Sequence, residues 1–307
     1  MSNNLTDIAS KTLGSSASYA VYTDHFDASL LNPMPRKLAR DHWDITGKEF
    51  VGFDTWHCHE ATFLLNNGAP VAGTLKYSYS SVSDYMVESK SAKLYLNTFD
   101  MCKMGATLDE AIEKYQGQVK ADLEKALKTQ VEVKFFTSGA DEHGIFPTIG
   151  YTDLLTAMGD NLGKITIDDY SAERNHLEFK MFDEQIMKTI YDNKFFTNAL
   201  RSRCRHTKQK DTGAAYIWIK TYNSVVRPES LFKQIVSLRE VNEFHEFCAE
   251  KLYVEIMKYP EVESCCVTLL YARRGSLDIN PSRSTYHNML PVNLFTTNFY
   301  TKKAMGQ

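Results

Sequence analysis

The sequence predicts an α+β protein made of two modules of similar build, each an antiparallel sheet backed by two helices. Three observations carry that prediction. Apolar residues recur with period 2 in some segments and with helical period in others, and the order of these segments in the first half is repeated in the second. A length of 307 residues gives room for two domains of ordinary size.

The elements follow in order. Residues 1–40, rich in Ser, Asn and Asp with Pro33 and Pro35, read as an irregular lead-in. Val71, Gly73, Leu75, Tyr77 and Tyr79 alternate with smaller or polar residues, the pattern of a half-buried strand. Phe50 to Leu65 supplies its hairpin partner across Asn66-Asn67-Gly68, whose residue types tolerate positive φ. Thr107 and Glu110 have capping-box spacing ahead of an apolar stripe formed by Leu108, Ile112, Tyr115, Val119, Leu123 and Leu127. Gln130 to Phe136 is the next strand. In the second half Ala214–Tyr222 is strand-like, and Pro228 suits the first turn of a helix carrying Leu231, Phe232, Ile235 and Leu238. A further helix covers about Glu246 to Met257, and Glu263 to Ala272 is a strand. Gly139 to Lys164 reads as the connector, which sets the modules at 1–160 and 161–307.

Composition excludes several classes. With 35 Lys and Arg against 38 Asp and Glu, the net charge is −3, so no basic field for nucleic acid is expected over the whole protein. The apolar run Cys265–Ala272 is too short to span a bilayer, and the N-terminus has neither a basic start nor an apolar signal core. A soluble protein is expected, with six reduced thiols in a cytoplasm.

The familiar cofactor signatures are missing. No GxGxxG occurs, and Gly159 to Lys164 lacks P-loop spacing and reads as a turn. His57 and His59 would share one face of a strand with Cys58 opposite, half of a zinc site. No third ligand is evident, so half-buried strand residues are expected here and no metal.

Cys204 is different. Residues 201–210 carry five Lys or Arg, and positive charge favours thiolate over thiol. Asp211 follows on the same loop and could serve as proton donor; a donor must be neutral beforehand, as burial favours. The same segment reads equally well as a solvated basic loop. Glu88-Ser89-Lys90-Ser91 stands at an element junction, and Phe244-His245-Glu246 opens a helix at the corresponding place in the second half. A carboxylate in either place can accept two hydrogen bonds side by side, or simply favour the helix dipole. Arg273-Arg274-Gly275 ends a strand and suits phosphate, or is plain surface.

At these residues a resemblance appears. ESKSAKLYLNTF at 88–99 is similar to the signature of the NADPH-dependent 7-cyano-7-deazaguanine reductases, the QueF family of queuosine biosynthesis. TDHFDASLLNPMPR at 23–36, TNALRSRC at 197–204, SLREVNEFHE at 237–246 and RRGSLDINPSRS at 273–284 resemble the long, two-module form of that family, in order. The resemblance implies tandem tunnelling-fold modules and a nitrile reductase yielding the 7-aminomethyl product with two NADPH. By motif position Cys204 would form a covalent thioimidate and Asp211 would deliver the proton. Val87, Glu88, Ser89, His245 and Glu246 would hold the deazaguanine; Ser89, Lys90, Arg274 and Gly275 would contact NADPH. A homodimer without direct nucleic-acid or membrane partners is implied too. The family's usual second glycine after the arginines is Ser276 here. Two other readings stay open: amidine formation from the same thioimidate without reduction, and a non-catalytic purine-binding module.

Overall fold

Strands β1 (Val51–Leu65) and β2 (Pro70–Ser80) form the hairpin the sequence predicts. Leu65 N donates to Ala69 O at 2.8 Å, and Gly68 adopts φ +90°, a left-handed angle that costs glycine nothing. The structure, a computed structural model, describes residues 25–137, 143–145, 150–170, 172, 174–182, 188–205, 208–297 and 300–302. The first two residues of the 23–36 motif, much of the 139–164 connector, and His206 and Thr207 of the basic loop lie outside them.

Helices α1 (Ser89–Asn97) and α2 (Leu108–Leu127) follow, and β3 (Val131–Thr137) returns beside β2. Thr107 Oγ1 accepts from Glu110 N, while the Glu110 carboxylate reaches Ala106 N at 2.8 Å, one residue earlier than an ideal capping box. Tyr115, Val119, Leu123 and Leu127 are buried as expected. Leu108, the first residue of the helix, is 44% exposed.

The second half runs β4 (Ile190–Arg203), β5 (Lys210–Tyr222), α3 (Pro228–Val236), α4 (His245–Met257), β6 (Val262–Tyr271) and β7 (Leu277–Ser284). Pro228 occupies the first turn of α3, where its missing N–H is no loss. Gly159–Lys164 is an exposed 3-10 turn, as read.

The fold is α+β, and its two sets of strands join edge to edge. The order across the sheet is β3-β2-β1-β7-β6-β5-β4, antiparallel throughout this run, with Thr152–Asp153 beyond β4 and Lys103–Gly105 alongside β1. The seam is β1–β7, with Leu277 opposite Cys58 and Ser284 opposite Val51. Phe247, Leu277 and Ile279 from the second half are buried in the core of the first, beside Trp56 and Val87. Burying side chains of this size contributes about 1.5–3 kcal/mol each.

Polar groups lock the same seam. Asp54 on β1 accepts from Arg36 at 2.5 Å and from Arg283 on β7 at 2.8 Å; Glu250 on α4 accepts from Arg283 at 3.0 Å and Arg40 at 2.8 Å. All five are buried, so each charge depends on the others for lost hydration.

Candidate active site

A cavity of about 290 Å³ opens where the two halves meet. Its lining includes Val87, Glu88, Ser89 and Lys90 from the start of α1, and Cys204 and Asp211 from the β4–β5 hairpin. His245 and Glu246 enter from the start of α4, and Arg274 and Gly275 from the β6–β7 turn. Every site residue named from the sequence is therefore brought together, from four separated segments. Trp56, Leu277 and Ile279 supply apolar walls.

Cys204 is half-buried in a tight turn, its N–H donating to Gln209 O and its carbonyl accepting from Lys208 N, both at 2.9 Å. The surrounding charge is less bare than the sequence suggests. Arg203 pairs with Glu240 at 2.8 Å and Arg205 with Glu243 at 3.1 Å, so acids from the segment ahead of α4 offset part of the basic loop.

Asp211, buried at the start of β5, is held on both oxygens. Arg274 Nη1 lies 2.5 Å from Oδ1, and His245 Nε2 lies 3.5 Å from Oδ2. Burial pushes this carboxyl up, but the His245 and Arg274 contacts outweigh it, and the group is held below its ordinary pKa. The expectation of a neutral Asp211 ahead of reaction is thus corrected: burial is real, and the contacts with His245 and Arg274 overrule it. The His245 ring stacks on Tyr271, centroids 3.7 Å apart, which fixes its direction.

Glu246 behaves oppositely. It is 2% exposed; burial and the Asp54 charge push its carboxyl up to about 8, against the opposing pull of Arg36 and Arg283. Asp54 makes the direct ion pairs, so Asp54 keeps the charge and Glu246 the proton.

Glu88 caps α1, accepting from Lys90 N at 3.0 Å and Ser91 N at 2.8 Å. The capping and cavity-lining readings of this residue are both realised. The turn Arg274-Gly275-Ser276-Leu277 has φ +56° and +73° at its centre, and Arg274 N donates to Leu277 O at 2.9 Å. Positive φ at both central positions is the geometry for which paired glycines are suited. Lys93, not among the site residues that the resemblance implies, follows Lys90 on the same helical face; its Nζ stands 2.6 Å from where a Cβ on Gly275 would lie. Lys90, Lys93 and Arg274 give one side of the cavity a cluster of cations suited to phosphate. Phe244, Glu243 and Gln209 also line it.

A thiol, a held carboxylate and a cationic rim around an apolar slot define, as a class, an α+β enzyme able to add sulfur to an electrophilic carbon. Comparison with known proteins narrows the class. Residues 22–135 match the family described as nitrile reductase, 7-cyano-7-deazaguanine-reductase N-term. Over 298 residues the chain is 30% identical to the NADPH-dependent 7-cyano-7-deazaguanine reductase of Colwellia psychrerythraea strain 34H, covering 94% of this chain and 96% of that one. The chain belongs to the 7-cyano-7-deazaguanine reductase family. The crystal structure of the archaeosine synthase QueF-Like in the apo form aligns with 34% of this chain and 98% of its own, at 16% identity and a TM-score of 0.27.

Proposed function

We propose that this chain reduces the nitrile of 7-cyano-7-deazaguanine to the aminomethyl group, with two NADPH consumed per product, in queuosine biosynthesis. The observation that carries the reading is the convergence of Cys204, Asp211, Glu246 and Arg274 from three segments on one cavity.

In this reading the charged Asp211 first takes the Cys204 thiol proton. The thiolate then forms a C–S bond to the nitrile carbon while Asp211 returns the proton to nitrogen, leaving a thioimidate. This order needs Asp211 ionised at the outset, the state that its Arg274 and His245 contacts favour. Glu88 and Glu246 accept the adjacent N–H donors of the guanine-like edge, with Val87, Ser89 and His245 completing that side. NADPH supplies the hydrides. Ser89, Lys90, Arg274 and Gly275 hold it, and the cationic rim fits its phosphates.

The reading extends to modules at 1–160 and 161–307, a homodimer and a cytoplasmic location. No helix among the described residues is long and apolar enough to cross a membrane.

The test is NADPH oxidation by the purified chain given 7-cyano-7-deazaguanine, with the product identified by mass. Two NADPH per aminomethyl product is the expected result, with turnover abolished in Cys204→Ala. A nitrile adduct on Cys204 without NADPH consumption would replace reduction by amidine chemistry.

A further inference from the structure

The seam that walls the cavity has a second face. Along β7, Leu277 and Ile279 turn into the cavity, so the intervening Asp278 turns to the reverse side. Along β1, Trp56 and Cys58 enter the apolar core, and His57 and His59 turn to that same reverse side. Register places Asp278 directly opposite His57. Asp278 Oδ1 lies 2.7 Å from His57 Nδ1, and Oδ2 lies 2.5 Å from His59 Nε2. One ligand atom from each of the three residues falls within 4.8 Å of the other two.

The third ligand that the sequence did not offer is therefore present, 219 positions along the chain from His59. Two imidazoles and a carboxylate are a donor set for a borderline divalent ion, with bonds of ~2.0–2.2 Å. The site is sheltered, with side-chain exposures of 6% for His57, 7% for His59 and 2% for Asp278. A supporting shell exists as well: Asn280 Nδ2 donates to Asp278 Oδ1 at 2.6 Å and so orients the carboxylate. Lys76, opposite His57 on β2, directs its Nζ to the Asn293 carbonyl at 3.2 Å.

We propose that His57, His59 and Asp278 bind a single divalent transition-metal ion of the zinc type, which clamps β1 to β7 behind the catalytic cavity. Its remaining position is left to water. The ion faces away from Cys204 and Asp211 and does not touch the reacting atoms. The inference stands independently of the reductase reading.

The test uses the full, tag-free chain stripped with chelator, titrated with Zn²⁺ by calorimetry and with Co²⁺ by visible absorption. Expected are one ion per chain, a rise in thermal midpoint with Zn²⁺, and Co²⁺ d–d bands without thiolate charge transfer. His57→Gln and His59→Gln should each lose the stoichiometric ion, whereas Cys204→Ala should keep it. Absence of stoichiometric binding, or binding retained in both His variants, overturns the site. If the His variants do not fold, the Co²⁺ spectrum of the unaltered chain decides: a thiolate charge-transfer band assigns the ion to a cysteine and overturns the proposal, and its absence beside d–d bands upholds it.

Discussion

Arg274 Nη1 stands 2.5 Å from Asp211 Oδ1, so one guanidinium joins the turn proposed to grip the cofactor to the carboxylate proposed to move the proton. A phosphate that draws Arg274 towards itself loosens its hold on Asp211. On the proposed reading, cofactor occupancy and acid strength at Asp211 are linked through a single side chain.

Arg274→Gln should raise the KM for NADPH and shift the acidic limb of the kcat/KM profile to higher pH. The sign follows from charge: Arg274 helps to hold Asp211 below its ordinary pKa, and its loss lets that pKa rise. A raised KM with an unmoved limb would show that the two residues act separately.

Glu246 gives stability a pH dependence of the opposite kind to that of a salt-bridged carboxylate. Its folded pKa of about 8 lies above the ordinary 4.5, so between these values the folded chain holds a proton that the unfolded chain has lost. The contribution of Glu246 therefore falls as pH rises through that window. Urea midpoints measured across it should decline more steeply for the unaltered chain than for Glu246→Gln; parallel curves would refute the assignment. Ligand binding that uses the Glu246 carboxylate should release a proton, visible by calorimetry in buffers of different ionisation enthalpy.

Asp54→Asn should cost about 3–5 kcal/mol in chemical denaturation, because it strips a buried partner from both Arg36 and Arg283. The same change removes a charge that pushes the Glu246 carboxyl up, so the slope attributed to Glu246 should shrink with it.

At the β6–β7 turn, Gly275→Ala should lose about 1–2 kcal/mol from its left-handed backbone and raise the KM for NADPH by displacing Lys93. Ser276→Gly relieves a similar angle, φ +73°, and should leave the thermal midpoint unchanged or higher, with the relief partly offset by a freer unfolded chain. Equal losses in the two variants would mean that backbone angle is not what the turn selects.

What was legible in the sequence had regular periodicity or a punctuating residue: the β1–β2 hairpin with Gly68, the α2 stripe, Pro228 opening α3, and the apolar β6 run. The strand β7 was not. LDINPSRS alternates apolar and polar only over Leu277 to Asn280, and it contains Pro281 and ends in three polar residues, yet all eight residues are buried. Its polar side chains are satisfied by long-range partners, Arg283 by Asp54 and Glu250, and Ser282 by Thr268. Pro281 falls just where the β6 pairing, which covers only Ser282 to Ser284, has stopped. Overlooking β7 also hid Asp278. The ten residues named through motifs do line one cavity, but their electrostatics were not legible, since the Glu partners of Arg203 and Arg205 lie 37 and 38 positions away.

The seam also governs how the chain can be made. Its two strands are about the most distant in sequence of any that pair in the sheet, and β1 leaves the ribosome long before β7. At ~5–20 residues per second, the 219 positions between His59 and Asp278 take roughly ten to forty seconds to synthesise. Throughout that interval the growing chain carries a strand whose backbone edge over Val51–Cys58 is unsatisfied, the kind of edge on which chains join to one another. Translation products that stop short of Leu277 keep this edge for good, so they should aggregate or be captured by chaperones, whereas the completed chain covers it with its own last long strand.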